Sequence, residues 1–234
     1  MDLNQIKSIH LIAVCGMGMG SLAGLLKSSG YQVSGSDEQF YPPMSLQLEE
    51  LRVELKLGYK PENLNHNPDL VIVGNAVSKG NPEVEEMLAK GIPYMSLPQA
   101  LAEFYLKEKQ PIVIAGTHGK TTTSALISWL LEAGGMEPGF MIGGILKNYG
   151  RSYRVGQGKY FVVEGDEYDS AFFDKGPKFL HYRPGPAIIT GIEFDHADIY
   201  KDLAEIKKAF ARFILSIPEQ GQLMVCEDDK NLRE

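Results

Sequence analysis

Cysteine is nearly absent from this sequence: Cys15 and Cys226 are the only two in 234 residues. Two thiols cannot staple a chain of this length, which excludes a disulfide scaffold and points to a reducing compartment. Positive charge is also short. Lys and Arg total 23 against 30 Asp and Glu, a formal net charge of −7. Non-specific nucleic-acid binding needs a surplus of cations facing phosphates, so no nucleic-acid partner is expected. Long apolar runs are missing as well. The nearest approach, IHLIAVCGMGMGSLAGLL (9–26), holds His10 and four glycines, and Val14 stands before Cys15 where a lipoprotein signal needs a small residue. It reads as a buried strand entering a Gly-rich turn, not as a leader or a membrane span. The expectation is a cytoplasmic protein with no membrane partner.

What is present is ordinary for a globular protein, with 44% hydrophobic and 23% charged residues, and the length allows one or two domains. Short β-branched runs at 9–14, 69–73, 111–115, 160–163 and 187–190 predict buried strands. Amphipathic stretches at about 19–29, 82–90, 98–108, 120–134 and 202–216 predict helices between them. Asn81-Pro82 supplies an N-cap and a proline at the first helical position. Such alternation predicts an α/β chain with largely parallel sheets. KEKQP (107–111) marks a break. The expected organisation is a Rossmann-like domain over 1–107 and a second, P-loop-type α/β domain over 108–234.

Each half carries a glycine loop. In the first, Gly16, Gly18 and Gly20 precede a helix whose free N–H groups and dipole favour a phosphate. Asp37 follows about twenty residues on, where a carboxylate accepts from ribose hydroxyls. The dinucleotide pattern G-x-G-x-x-G fails at Ser21, so a nucleotide half-site is supported and NAD is not.

In the second, Gly116-Thr117-His118-Gly119-Lys120-Thr121-Thr122-Thr123 joins a strand to a helix expected to bury Leu126, Leu130 and Leu131. The full P-loop pattern fails at Ile114, but the parts serve one purpose. Backbone N–H groups wrap a triphosphate, Lys120 reaches its β/γ-phosphates and the Thr121 hydroxyl binds Mg²⁺. Glu164, Asp166, Glu167 and Asp169 end one strand, and Glu193, Asp195, His196 and Asp198 end another. At the ligand edge of a parallel sheet, opposite a phosphate loop, such groups suggest Mg²⁺ ligation.

GTHGKTTT (116–123), EGDEYD (164–169) and IEFDHAD (192–198) resemble, in order and spacing, the ATP-site motifs of the Mur ligase family. CGMGMGSLAGLL (15–26) with GSD (35–37) resembles the UDP-binding domain of members acting on UDP-N-acetylmuramic acid. YPPMS (41–45), GNAVSKGNPEVE (74–85), IPYMSLPQAL (92–101) and DEYDSAFFDKGPKFLHYRP (166–184) resemble the peptide-accepting branch more than the L-alanine-adding one.

The resemblance implies an ATP- and Mg²⁺-dependent ligase that joins UDP-N-acetylmuramic acid to a murein peptide through an acyl phosphate. It implies that Lys120 holds the β/γ-phosphates within a site of Gly116, Thr117, His118, Gly119, Thr121 and Thr122. It implies that Thr121 and Glu164 bind a first Mg²⁺ and His196 a second, and that Gly16, Met17, Gly18, Met19, Ser36, Asp37 and Asn75 line the UDP site. Gly165 replaces the family's usual alanine, a small change, and Gly191 replaces a common asparagine, removing one amide. The family's C-terminal domain has no counterpart here, so a fragment that binds without turnover is expected. The alternatives are an L-alanine-adding ligase, a non-catalytic nucleotide-binding module and, least favoured, an NAD-dependent oxidoreductase.

Overall fold

A computed structural model describes residues 2–194 and 200–233, and they form two compact units. The first comprises residues up to Phe104 plus Ser170–Lys175; the second comprises Tyr105–Asp169 and the chain from Gly176 onward.

The first unit is built on five strands: β1 (Ser8–Ile12), β2 (Gln32–Asp37), β3 (Glu54–Leu57), β4 (Leu70–Val73) and β5 (Tyr94–Ser96). They pair in parallel in the order β3-β2-β1-β4-β5. Strand order reverses between β1 and β4, so the crevice of this doubly wound sheet opens at the loops after those two strands. Four helices join the strands: α1 (Met17–Ser28), α2 (Met44–Glu50), α3 (Pro82–Ala89) and α4 (Leu97–Leu101). The Asn81 side chain accepts from the backbone N–H of Glu83 and Val84, which is why α3 starts there. The helix expected over 98–108 is shorter: α4 passes into a π-turn over Ala102–Leu106. Residues 9–26 form β1, a turn and α1. Phe172 and Phe173 pack on a core formed with Ile12, Val71, Val73, Val84 and Met87.

The second unit holds β6 (Gln110–Ala115), β7 (Gly139–Leu146), β8 (Arg151–Arg154), β9 (Tyr160–Gly165), β12 (Pro186–Ile189) and β13 (Gln222–Val225). The intervening β10 (Asp169–Ala171) and β11 (Asp174–Pro177) form a separate two-stranded sheet. The order of the large sheet is β13-β12-β6-β9-β7-β8, parallel except for β8 against β7. Here too the order reverses at β6, which carries the phosphate-type loop. The helices are α5 (Lys120–Ala133), α6 (Leu203–Leu215) and the one-turn α7 (Lys230–Arg233). No helix among the described residues is long and apolar enough to cross a membrane.

The facing of α5 corrects the sequence reading. Leu126 and Leu130 are 57% and 59% exposed, while Ser124 and Ser128 are fully buried. Ala125, Ile127 and Leu131 pack on the core of Ile112, Ile114, Phe140 and Val162. Two apolar stripes run along this helix. The one beside the small serines faces the sheet, because small side chains let the helix approach it closely.

Candidate functional site

The loop after β6 is shaped by two glycines and by the end of β12. Gly116 has φ +125° and Gly119, the N-cap of α5, has φ +83°. A Cβ at Gly116 would lie 2.2 Å from Thr190 Oγ1 and 2.9 Å from Gly191 O. Thr190 takes that space and donates to His118 O at 2.5 Å. Thr117 N–H donates to Gly191 O at 2.9 Å. The Thr117 hydroxyl accepts from Glu193 N–H at 2.9 Å and donates to Glu193 O at 3.2 Å. Gly119 gives α5 no side-chain cap. Its first-turn N–H groups, at the positive end of a 14-residue helix, are therefore available to an anion.

Lys120 lies in the same turn. Its Nζ donates to Gly116 O at 2.7 Å and meets Glu167 Oε2 at 3.2 Å. Both side chains are shielded, at 14% and 2% exposure, so the pair holds a desolvated cation beside the loop. The Thr121 hydroxyl donates to Glu164 Oε2 at 3.1 Å, and Gly143 N–H donates to Glu164 Oε1 at 2.7 Å. Burial pushes the Glu164 carboxyl above the ordinary carboxylate range. The Gly143 and Thr121 hydrogen bonds and the Lys120 charge oppose that rise, and Asp166 adds to it. A hydroxyl and an under-compensated carboxylate are hard oxygen donors of the kind Mg²⁺ takes, and cation binding there would strengthen as Glu164 ionises.

The acidic cluster does not act as one ligand set. Asp166 pairs with Lys178 Nζ at 2.8 Å, and Asp169 accepts from Gly176 N–H at 2.9 Å. Only Glu164 faces Thr121, and Glu167 is the counter-ion of Lys120. Among the described residues no group of three or more His, Cys, Asp or Glu could hold a metal ion. Asp195, His196 and Asp198 lie outside the described residues. His118, Gly119, Thr121 and Thr122 are exposed, whereas Gly116 and Thr117 are buried. Sequence reasoning did not find Gly143, in a glycine-rich strand outside the runs it singled out, or Thr190, an unremarkable strand-end threonine.

In the first unit, the turn after β1 is held by β2. Ala13 and Val14 N–H groups donate to Ser36 O at 2.9 and 3.0 Å. Asp37 Oδ2 accepts from Cys15 N–H at 2.7 Å. Asp37 thus braces the glycine turn with one oxygen. Gly16, Met17 and Gly18 are part-exposed at the start of α1, and Asn75 is exposed after β4. Met19 and Ser36 are buried, and the Ser36 hydroxyl has no hydrogen-bond partner among the described residues. A Cβ at Gly20 would meet Met44 Sδ at 2.1 Å, so that glycine serves the packing of α1 on α2.

Two family models match in tandem, that of the Mur ligase family catalytic domain over 8–109 and that of the Mur ligase middle domain over 114–234. The chain belongs to the Mur ligase family. It is 49% identical over 97% of its length to the UDP-N-acetylmuramate–L-alanyl-gamma-D-glutamyl-meso-2,6-diaminoheptandioate ligase of Escherichia coli, and spans 50% of that protein. It is 40% identical over 99% of its length to a UDP-N-acetylmuramate–L-alanine ligase of Carboxydothermus hydrogenoformans, covering 48% of that one. The chain thus spans about half the length of the curated relatives it matches. A solved UDP-N-acetylmuramate:L-alanyl-gamma-D-glutamyl-meso-diaminopimelate ligase from Neisseria meningitides superposes with a TM-score of 0.93 at 42% identity. That match covers 97% of this chain and 74% of that one.

An alanine at Gly165 would not be the small change the sequence suggests. A Cβ there would lie 2.8 Å from Val113 Cγ1 and 3.2 Å from Ala115 Cβ and Phe179 Cβ. Overpacking of this sort costs about 1–3 kcal/mol. Gly165→Ala is expected to lower urea stability by that amount. A neutral result would mean that Val113 turns aside freely.

Proposed function

We propose that this chain is the nucleotide-binding half of an ATP-dependent ligase that joins UDP-N-acetylmuramic acid to L-Ala-γ-D-Glu-meso-diaminopimelate, working in the cytoplasm. The observation that carries the reading is the set of groups around the start of α5. It combines an uncapped helix N-terminus, a shielded lysine, and a threonine hydroxyl bonded to a buried carboxylate.

In this reading Lys120 leaves Glu167 to meet the β/γ-phosphates, inside a cradle of Gly116, Thr117, His118, Gly119 and Thr122. Thr121 and Glu164 hold one Mg²⁺, and His196 a second. ATP, when bound, supplies the phosphoryl group that activates the muramyl carboxylate for attack by the peptide amine. The chain's own part is charge placement: fixed N–H dipoles, and one cation set in place on binding, meet the charge that moves toward the departing ADP. Gly16, Met17, Gly18 and Asn75 border the crevice proposed for the uridine diphosphate. Ser36 and Asp37 would act there chiefly by holding the turn. The relatives named as peptide ligases and the likeness of the 166–184 segment support a peptide acceptor.

Calorimetric titration of the chain with Mg²⁺ and a non-hydrolysable ATP analogue, and separately with UDP-N-acetylmuramic acid, tests this. Both ligands are expected to bind. Lys120→Ala is expected to weaken the ATP analogue by about 10–100-fold, the worth of a shielded charge-assisted contact, and to spare the muramyl nucleotide. NAD serves as control. Binding of NAD with neither expected ligand would overturn the reading. In a chain extended to the length of its relatives, phosphate release driven by L-alanine instead of the peptide would move it to the other branch.

A further inference from the structure

Residues 191–193 are gripped from two sides in alternation. Gly191 O and both backbone groups of Glu193 hold Thr117 of the phosphate loop. Both backbone groups of Ile192, between them, are held by the turn after β13. Asp229 Oδ2 accepts from Ile192 N–H at 2.9 Å, and Asn231 Nδ2 donates to Ile192 O at 2.6 Å. The other carboxylate oxygen, Asp229 Oδ1, accepts from Asn231 N–H at 2.8 Å and Leu232 N–H at 3.2 Å. The turn is itself tied down, with Cys226 N–H donating to Ile189 O at the end of β12 and Asp229 N–H to Cys226 O. Gly191 makes this reach available: a Cβ there would lie 2.8 Å from Asp229 Oδ2. The missing side chain at 191 and the presence of Asp229 are therefore one arrangement. Where a longer side chain would stand, a carboxylate from 38 positions away (229 − 191) secures the backbone instead.

We infer that Asp229 is a positioning residue for the phosphate loop: through Ile192 it fixes the 191–193 turn, and that turn fixes Thr117. The inference rests on the nucleotide-binding reading for its consequence, though not for its geometry. The plainer alternative is that Asp229 only caps the last short helix, since its Oδ1 bonds there have the form of an N-cap. Asp229→Asn separates the two. Asparagine caps as well as aspartate, but its one side-chain oxygen can face only one side, so with the cap kept an N–H₂ is turned toward Ile192 N–H.

Two measurements are made on the wild-type and Asp229→Asn chains. Without nucleotide, amide hydrogen exchange at Thr117 and Glu193 is expected to quicken about tenfold or more in the variant, while Asn231 and Leu232 keep their protection. Exchange that changes only at 231 and 232, or nowhere, would overturn the inference. With Mg²⁺ and a non-hydrolysable ATP analogue, Asp229→Asn and Thr117→Val are each expected to weaken binding about tenfold. Together they should still cost about tenfold, because they break one linkage. An additive loss of about a hundredfold would show that Asp229 does not act through Thr117. A wild-type chain that binds no nucleotide would sink the functional reading, and the exchange measurement would still decide the positioning role.

Discussion

Gly116→Ala is expected to weaken nucleotide binding roughly 100-fold while leaving the chain folded. The native φ of +125° is one an L-residue rarely adopts, and forcing it costs about 1–3 kcal/mol. The added Cβ would also sit 2.2 Å from Thr190 Oγ1 and 2.9 Å from Gly191 O. The loop would have to move away from β12 and would lose the Thr190–His118 and Thr117–Glu193 bonds that define it. Displacement of about 1 Å is enough to cost roughly 100-fold where several donors must meet one phosphate chain. Titration with Mg²⁺ and a non-hydrolysable ATP analogue reads the loss, and circular dichroism reads the fold. Pairing the change with Thr190→Ala removes the closest contact but not the backbone strain, so that double variant should recover stability without recovering affinity. Wild-type affinity in Gly116→Ala alone would mean that the loop's observed shape is not the one that binds.

That prediction draws on features unequally legible in the sequence. The glycine, lysine and threonines after β6 could be read directly, because each residue type has a distinct task at a phosphate and the β-branched run before them marks the strand. The same holds for the Asn81-Pro82 start of α3. The edge strands were not legible. β3 and β13 are short, and β13 is exposed along its whole length. The three glycines of β7 give no alternation to read. The facing of α5 was misread because Leu126 and Leu130 repeat as regularly as the stripe that is actually buried, and pattern alone does not show which stripe meets the sheet.

At the site, composition grouped Glu164 with Asp166, Glu167 and Asp169, and only the fold sent each to a different partner. Thr190 and Asp229 carry no local signature. Their roles arise where the ends of β6, β12 and β13, parallel neighbours far apart in the chain, come together.

The largest loss of stability is expected from Glu83→Ala. Glu83 and His10 are both fully buried in the first unit, with His10 Nε2 2.6 Å from Glu83 Oε1. A network of polar contacts surrounds the pair. His10 Nδ1 lies 2.8 Å from Ser34 Oγ, and Ser34 Oγ lies 3.1 Å from His66 Nε2. Lys56 Nζ donates to Asn63 O at 3.0 Å and lies 3.4 Å from His66 Nδ1. Burial first, then the charges of Lys56 and His10, hold the His66 imidazole below its usual range, against a backbone hydrogen bond to Asn63 that raises it. Asn63 Nδ2 donates to the other carboxylate oxygen of Glu83 at 3.1 Å. A chain of polar contacts thus runs from Lys56 to a buried carboxylate and ties β1, β2, β3 and α3 together. Glu83→Ala leaves His10 Nε2 and Asn63 Nδ2 without their buried partner and is expected to cost about 3–5 kcal/mol in urea unfolding followed by circular dichroism. Glu83→Gln keeps the shape but turns an N–H₂ toward His10 Nε2 or Asn63 Nδ2, and should cost about 1–3 kcal/mol. Equal stability of Glu83→Gln and wild type would mean that an amide meets His10 and Asn63 as well as the carboxylate does.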